Sequence, residues 1–431
     1  MKYYLAIDLG ASSGRHILGH YENGSLVLDE IHRFKTGMID SPQGLVWDID
    51  GIFKEIVFGI KKAVSLNKDI ESLSIDAWGV DYVLLDKDGK EIRPFYTYRN
   101  SRLKDTYKNV HNIISFKDLY KKTGIQFASY NSIYQLYDDL KKGRLNSAYD
   151  YLTIAEYFIY KLTGVKCHEY TAESTTGLLN AKTQDYDMEI IDKLGFPRRL
   201  FKSVLKPSTF VGSLSKNIQE EVGQNINVIL CPSHDTASAF AAIDCPPDSI
   251  IISSGTWSLL GVKMETPITN EDACKNNFTN EGGFNGICFL KNIMGMWIIN
   301  EILKQKSIKI TEALESIDSV EYHEIFDVND VSLLSPDNME KAVTALLKNR
   351  EPKSDKELFS SVFHSLAFCY AKAISDLEEI THINYKTIYI VGGGAKNEFL
   401  NNLVSIYTKK EVKSLPIEAT AIGNIKSQII E

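Results

Sequence analysis

The stretch YYLAIDLGASSGRHILGHY, residues 3–21, decides the fold. Tyr3 to Leu9 is almost wholly apolar, the pattern of a strand covered on both faces. Gly10-Ala11-Ser12-Ser13-Gly14 reads as a turn, and Arg15 to Tyr21 as the returning strand. Asn23-Gly24 is a hairpin signal, followed by a third strand from Ser25 to Phe34. The design recurs at IIISSGTWSLLG, residues 250–261, where an apolar strand, the small polar turn Ser253-Ser254-Gly255-Thr256 and a second apolar strand follow one another. The repeat is architectural rather than literal. Just before it, Cys245-Pro246-Pro247-Asp248 breaks the chain as a hinge or domain boundary does. The expectation is an α/β protein of two domains, 1–244 and 245–431.

Outward from these two stretches, Ile52, Ile56, Ile60 and Val64 place one apolar stripe on a helix over 49–65, with Asp48 and Asp50 at its start. Strands are expected at Ser72–Asp76, Tyr82–Leu85 and Val228–Cys231. The stretch 101–205 reads as mostly helical, with a clear amphipathic segment from Tyr149 to Leu162. Further helices are expected over Thr236–Ile243, Asp355–Ile380 and Ala395–Tyr407, with a strand at Thr387–Val391, then a short strand and a final helix.

The chain has 431 residues, 44% hydrophobic and 24% charged, the balance of an ordinary globular protein rather than a disordered, collagenous or coiled-coil one. A net charge of -8 argues against a general nucleic-acid-binding field. No run of apolar residues is long enough for a membrane helix, and the N-terminus lacks the pattern of a secretory signal. Cys167, Cys231, Cys245, Cys274, Cys288 and Cys369 form no C-x-x-C pair, which fits a reducing cytoplasm.

Several residues carry chemistry. Asp8 ends a buried strand and needs a partner, either a hydrated Mg²⁺ on bound phosphates or the backbone N–H groups of the following turn. The turns at 10–14 and 253–256 are small and donor-rich, and Arg15 adds a positive charge to the first. Two such turns, one per domain, suit the phosphates of a nucleotide. Gly392-Gly393-Gly394 lies between a strand and a helix, where glycines let a ligand reach the backbone and the helix N-terminus favours negative charge. Asn397 stands where a dinucleotide fingerprint requires its last glycine, so that motif is absent. Asp235, between a strand and a helix, can take a proton from a substrate hydroxyl or cap the helix. In Asp76-Ala77-Trp78-Gly79-Val80-Asp81, Gly79 permits close approach of a ligand; Trp78 is a wall against a sugar or plain core, and Asp81 a solvated turn residue. His234 can bond a sugar hydroxyl. His16, His20 and His32 lack a convincing metal-ligand spacing.

Taken in order, IDLGASSGR (7–15), IDAWGVDYVLLD (75–86), SIYQL (132–136), YTAESTTGLLN (170–180), SHDTASA (233–239), SSGTWSLLG (253–261), TNEGG (279–283), LKNIMGMW (290–297), VGGGAKN (391–397) and EATAIGNI (418–425) resemble the FGGY carbohydrate kinases of the actin–hexokinase–Hsp70 superfamily. The first turn is most similar to that of the members acting on L-rhamnulose. The resemblance implies two RNase H-like domains with a catalytic cleft between them, and ATP-dependent phosphorylation of L-rhamnulose to L-rhamnulose 1-phosphate. It implies Asp235 as general base; Gly79, His234, Asp235, Thr236 and Asn292 as sugar contacts; Ala11, Ser12, Ser13, Gly14, Arg15, Thr256, Asn300 and Gly392 to Gly394 as nucleotide contacts; and Asp8 as the Mg²⁺ position, through water. Asn300 stands where those relatives carry glutamine, and the chain stops short of the family's usual C-terminal tail. The enzyme is expected as a cytoplasmic monomer or homodimer without nucleic-acid or membrane partners. The rival readings are a kinase for another ketose, such as L-fuculose or xylulose, and a non-catalytic sugar-responsive protein on the same fold.

Overall fold

The computed structural model describes residues 1–429 except 67–68, 318–319, 335, 348–349 and 416–417. Its first principal elements are β1 (Tyr3–Leu9), β2 (Gly14–Glu22), β3 (Ser25–Phe34), α1 (Ile49–Ser65), β4 (Ile70–Ala77), β5 (Tyr82–Leu85), β6 (Asp150–Thr153), α2 (Ile154–Thr163), α3 (Tyr170–Ser174), β7 (Phe210–Ser213), β8 (Asn227–Ile229) and α4 (Asp235–Ala241). The remainder includes β9 (Ser249–Ser254), β10 (Trp257–Met264), β11 (Thr279–Gly282), β12 (Ile287–Met294), α5 (Trp297–Lys306), α6 (Asp355–Thr381), β13 (Thr387–Val391), α7 (Glu398–Thr408), β14 (Glu411–Ser414) and α8 (Ala419–Gln428).

The first sheet has the order β7-β8-β4-β1-β2-β3. β1 runs antiparallel to β2 and parallel to β4, with Asp8 opposite Asp76. Leu5, Ile7 and Leu9 of β1 are fully buried because the sheet is covered on both faces. One cover is α1, capped by Asp48 and burying Ile49, Ile52, Ile56 and Ile60. Gly59 of α1 leaves room for the His16 ring, whose Nε2 lies 3.0 Å from the Ile56 carbonyl. Burial holds that imidazole down at about 3, so His16 is neutral and structural. A second core, under the helices after β5, gathers Tyr82, Tyr134, Leu136, Tyr151 and Leu178.

The later part repeats the plan. β9 is antiparallel to β10 and parallel to β13, and β13 is parallel to β14. The expected repeat is thus one of topology: strand, small turn, returning strand, then a parallel neighbour delivered by a helix.

The chain forms two compact units that are not simple halves. One contains 1–244 together with 263–289 and 419–431; the other contains 245–262 and 290–418. The division at Asp244 falls where the prolines suggested a boundary, but a domain spanning 245–431 omits two returns of the chain. The last return is α8. Gly423 lets it lie against Ser238 of α4, and Asn424 Nδ2 donates to Asp76 Oδ2 at 2.6 Å. Gln428 accepts from Ser72 Oγ at 2.7 Å and donates to the Leu5 carbonyl at 3.2 Å.

Three local expectations change. The segment 149–162 begins as strand β6, paired with β5; the helix starts only after Thr153, whose N–H donates to Glu156 Oε2 at 2.8 Å. Trp78 is core, its ring 4.2 Å from that of Trp47. Asp81 is fully buried rather than solvated, and accepts from Trp47 Nε1 (2.7 Å), Gln135 Nε2 (2.9 Å), Trp78 Nε1 (3.2 Å) and the Tyr98 N–H (3.2 Å). Burial raises its carboxyl to about 6 against the pull of those four donors. Asp81→Leu leaves the Trp47, Trp78 and Tyr98 N–H groups without an acceptor in a dry interior, each at about 1–3 kcal/mol, while Gln135 keeps the Val80 and Tyr130 carbonyls; the variant is expected to lose several degrees of thermal midpoint or to be insoluble, as read by calorimetry.

Candidate active site

Three backbone segments of the first unit end together. Trp78 N–H donates to the Leu9 carbonyl at 3.1 Å, and Ala77 N–H to the Ser233 carbonyl at 2.9 Å. The ends of β1 and β4 and the start of α4 therefore form one edge, the carboxyl end where ligands bind in open α/β sheets. This edge carries Asp8, the 10–15 turn, Gly79, His234, Asp235 and Thr236.

The turn closes through Gly10 N–H to the Ser13 carbonyl at 3.0 Å. A side chain at Gly14 would occupy the Phe34 ring. Arg15 is ion-paired with Asp8, which sits buried behind it. The partner of Asp8 is thus a guanidinium, not the N–H groups of the turn. Across the parallel register, Asp76 is fully buried; its Oδ2 takes the Asn424 bond and its Oδ1 has no protein partner among the described residues. Burial, then repulsion by Asp8, pushes the Asp76 carboxyl well above its usual range.

Gly79-Val80-Asp81 is a tight turn in which Asp81 N–H donates to the Gly79 carbonyl at 2.9 Å. Val80 has φ +68°, a strained conformation for a β-branched residue. It is held from both sides: Thr175 Oγ1 accepts from its N–H at 3.3 Å, and its carbonyl accepts from Ser132 Oγ at 2.6 Å and Gln135 Nε2 at 3.1 Å. Strain over-determined in this way is typical of ligand sites. It keeps Gly79 bare beside Thr175 and His234: a Cβ there would come within 3.1 Å of Thr175 Oγ1 and 3.2 Å of His234 Nε2.

Asp235 does not cap α4; His234 occupies that position and Asp235 is the first helical residue. Asp235 Oδ1 accepts from the Thr236 N–H at 2.6 Å and Thr236 Oγ1 at 3.2 Å, and lies 3.4 Å from His234 Nε2. Among the described residues no hydrogen bond reaches Oδ2, and 32% of the side chain is exposed. Burial raises the Asp235 carboxyl and the charge of Asp8 adds to it, against the pull of His234 and Thr236. A carboxylate with one oxygen fixed and the other open is what proton abstraction from a bound hydroxyl requires.

The loop carrying Asp235 is anchored by a residue the sequence did not single out. Glu169 Oε2 accepts from the N–H of Ser233 at 3.0 Å and of Ala172 at 3.1 Å, and from Thr171 Oγ1 at 2.6 Å. Thr171 Oγ1 in turn accepts from the His234 N–H at 3.2 Å. Glu281 is a second such residue, its Oε2 3.3 Å from His234 Nδ1; it belongs to the TNEGG stretch, which carried no role by itself.

The second unit gathers the other expected residues. Gly255 and Thr256 carbonyls accept from Met296, Gly295 and Trp297 N–H groups at 2.9, 3.1 and 3.2 Å, so the 253–256 turn sits on the start of α5, the helix that carries Asn300. A Cβ at Gly392 or Gly394 would run into Ser254, and Gly392 has φ +82°. Thr256, Asn300 and Gly393 are exposed. The glycine run does not open an α-helix as expected: Gly393–Lys396 is a 3₁₀ turn, and α7 starts after Asn397, whose side chain accepts from the Leu400 N–H at 3.0 Å. Asn292 also belongs to this unit, on β12, its Oδ1 without a protein partner among the described residues.

One further cluster has metal-ligand chemistry, namely Glu156, His168 and Glu173. Its carboxylates are held by protein donors, while His168 Nε2 is buried without a hydrogen-bond partner among the described residues. Glu156 accepts from the Thr153 and Glu169 N–H groups at 2.8 and 2.6 Å, and Glu173 from Tyr151 and from His168 Nδ1 at 3.0 Å.

Two family models match in sequence order: the N-terminal domain of the FGGY family of carbohydrate kinases over residues 3–241, and its C-terminal domain over 250–430. The chain belongs to the FGGY family. This FGGY kinase is 42% identical over 435 residues to a rhamnulokinase of Oceanobacillus iheyensis, covering 99% of this chain and 92% of the relative. It is 38% identical over 436 residues to one of Bacillus subtilis, covering 99% and 90%. Among solved structures its fold matches a ligand-bound xylulose kinase of Lactobacillus acidophilus at TM-score 0.82 and 18% identity, covering 99% of this chain and 89% of that one. It matches the glycerol kinase of Plasmodium falciparum with ADP at TM-score 0.77 and 17% identity, with the same two coverages. Both share the two-domain α/β architecture. The FGGY kinase is a sugar kinase, and among its described residues no helix is long and apolar enough to cross a membrane.

Gly394→Ala forces the loop off Ser254, an overpacking worth about 1–3 kcal/mol. It is expected to weaken ADP binding about tenfold in titration calorimetry, with the thermal midpoint changed by only a few degrees.

Proposed function

We propose that this kinase transfers the γ-phosphoryl group of ATP to L-rhamnulose, giving L-rhamnulose 1-phosphate and ADP. The observation that carries the reading is Asp235: a carboxylate at the carboxyl edge of the sheet with Oδ1 fixed by Thr236 and Oδ2 open, in a chain 35–42% identical to rhamnulokinases over nearly its whole length.

Asp235 orients the ketose hydroxyl and accepts its proton as the hydroxyl oxygen bonds to phosphorus and the bond to the ADP oxygen breaks. Gly79, His234 and Thr236, with Asn292, are assigned to the sugar. Gly79 contributes by having no side chain, so the sugar can approach the backbone that Thr175 and Ser132 hold. The nucleotide is assigned to the 11–15 turn and to Thr256, Asn300 and Gly392–Gly394. The turns offer N–H and hydroxyl groups without bulk, and Arg15 offers a charge where negative charge develops.

The acid edge also fits a divalent cation, since Asp8 lies beside Asp76, whose Oδ1 is buried and has no partner among the described residues. Asp8 would hold a hydrated Mg²⁺, which supplies charge neutralisation on the phosphates when bound. The six cysteines contain no C-x-x-C pair, which fits the cytoplasm, and the reading takes the enzyme as a monomer or homodimer.

The test is a steady-state comparison of L-rhamnulose, L-fuculose and xylulose with MgATP. L-rhamnulose is expected to show the highest kcat/KM; a clear preference for either of the others overturns the assignment. Asp235→Asn is expected to lower kcat about 10²-fold or more while sugar affinity is kept. The raised carboxyl of Asp235 gives a pH sign as well. A base must be ionised, so kcat/KM falls as pH drops, with its acid midpoint above the ordinary aspartate value of 3.8, as a pH–rate profile reads directly.

A further inference from the structure

The imidazole of His234 stands between two carboxylates. Glu281 Oε2 is 3.3 Å from Nδ1, and Asp235 Oδ1 is 3.4 Å from Nε2. Both the ring and Glu281 are buried. A neutral imidazole has one N–H and one bare lone pair, so in either tautomer it turns a lone pair toward a carboxylate. Only the ring with a proton on both nitrogens satisfies the two neighbours.

Glu281 is placed with care for that contact. It lies on β11, in the 263–289 segment that packs with the first unit. Its neighbours are clamped on both sides. Asn280 Nδ2 donates to the Gly124 and Ile268 carbonyls at 3.0 and 2.9 Å, and Asn280 Oδ1 accepts from the Ile268 N–H at 2.8 Å. Gly282 N–H donates to Ser174 Oγ at 2.7 Å, and a Cβ at Gly282 would meet Tyr170 and Thr171. With no freedom at 280 and 282, the Glu281 side chain has a fixed origin. Among the described residues neither Glu281 Oε2 nor His234 Nδ1 has a hydrogen-bond partner, so the 3.3 Å approach of the two is an ion pair in which each faces the other.

We propose that Glu281 is a positioning residue for the sugar site, holding the His234 ring in place and making its Nε2 a hydrogen-bond donor, which passes from Asp235 to a hydroxyl or the carbonyl oxygen of the ketose when substrate enters. This rests on the assignment of His234 and Asp235 to the sugar. The arrangement also tempers the acid edge, because a cation beside Asp235 favours its ionised, base-competent form.

The ionisable groups acting on His234 are Glu281, Asp235 and Glu169, and Tyr130 and Cys288 are the further titratable groups around Glu281. Burial pulls the imidazole down, but Glu281 first, then Asp235 and Glu169, outweigh it and hold His234 above its usual 6.5. The second ring proton is therefore held to higher pH than in a free imidazole and lost as pH rises through the raised value. Removing the Glu281 charge lowers that value, so the doubly protonated ring, and with it the charge on the Nε2 donor, is lost earlier on the alkaline side.

Histidine-labelled protein followed by NMR from pH 5 to 9, with the signal assigned by its loss in His234→Gln, reads the ring independently of turnover. In the near-isosteric Glu281→Gln protein, the His234 midpoint is expected to fall by about one pH unit or more. The alkaline limb of kcat/KM for L-rhamnulose is expected to move down with it. At a pH between the two His234 midpoints the loss should appear in the sugar KM, by about tenfold, the worth of a charge-assisted hydrogen bond, with the KM for MgATP unchanged. Glu281→Asp, which keeps the charge on a shorter arm, should lie between the two. A His234 midpoint unmoved in Glu281→Gln overturns the proposal even if L-rhamnulose is turned over. A loss of kcat/KM equal at all pH values does so too, since it marks a merely structural residue. A midpoint that falls in a chain whose unmodified form phosphorylates no ketose instead removes the functional reading, and the donor role with it.

Discussion

The parallel pairing of β1 with β4 is the constraint on which the site depends. Its register sets Asp8 beside Asp76 and brings Leu9 and Ala77 to one edge. Two backbone bonds, Trp78 N–H to Leu9 and Ala77 N–H to Ser233, then join that edge to the start of α4. A slip of one residue would turn Asp8 to the opposite face of the sheet and put Leu9 in its place. The slip is opposed by the burial of Leu5, Ile7 and Leu9 between the layers, so the same apolar run that specifies the core also places the acids.

An edge that gathers carboxylates must compensate each one. Asp8 has Arg15, Asp76 has Asn424 from α8, and Asp235 has Thr236 and the His234 ring. The compensation is unequal. Asp76 receives one neutral donor and is pushed furthest toward the neutral acid, whereas Asp8 receives a full positive charge. Grading of this kind lets three acids share one edge without three bare charges. It also explains why the last helix belongs with the first unit: without Asn424 and Gln428, Asp76 and the back of β1 and β4 would lose their polar partners.

Much of this was legible in the chain. The apolar runs at 3–9 and 250–254, the stripe on α1 and the small turns all follow from local periodicity, and the structure reproduces them nearly residue for residue. Asp8, Gly79 and Asp235 stood out because each interrupts a pattern at the end of a strand. What was hidden depends on distant partners. Glu281 and Glu169 are ordinary acids in sequence, and only folding sets them against His234 and Ser233. Asp81 reads as a turn residue until Trp47, Trp78 and Gln135 arrive around it. The start of α2 was misread because Asp150–Thr153 fits an amphipathic helix as well as a strand, and pairing with Tyr82–Leu85 decides between them. The glycine run after β13 suggested a helix start, but Asn397 is the better cap and moves that start downstream.

The two copies of the strand–turn–strand plan have diverged in charge. In the first, the paired strand ends carry Asp8 and Asp76; in the second, the corresponding pairs Ile252 with Ile390 and Ser253 with Val391 carry none. Around that second edge Thr256, Asn300 and Gly393 are exposed, as are Lys396 of the 3₁₀ turn and Glu398 at the start of α7. On the proposed assignment, the small turns offer a polyphosphate neutral donors that add no charge of their own. On the same assignment the acids of the first edge have separate uses, one to take a proton and another to face a cation. The same backbone design thus supports opposite electrostatics, because its turns are too small to dictate charge and the strand-end residues are free to supply it.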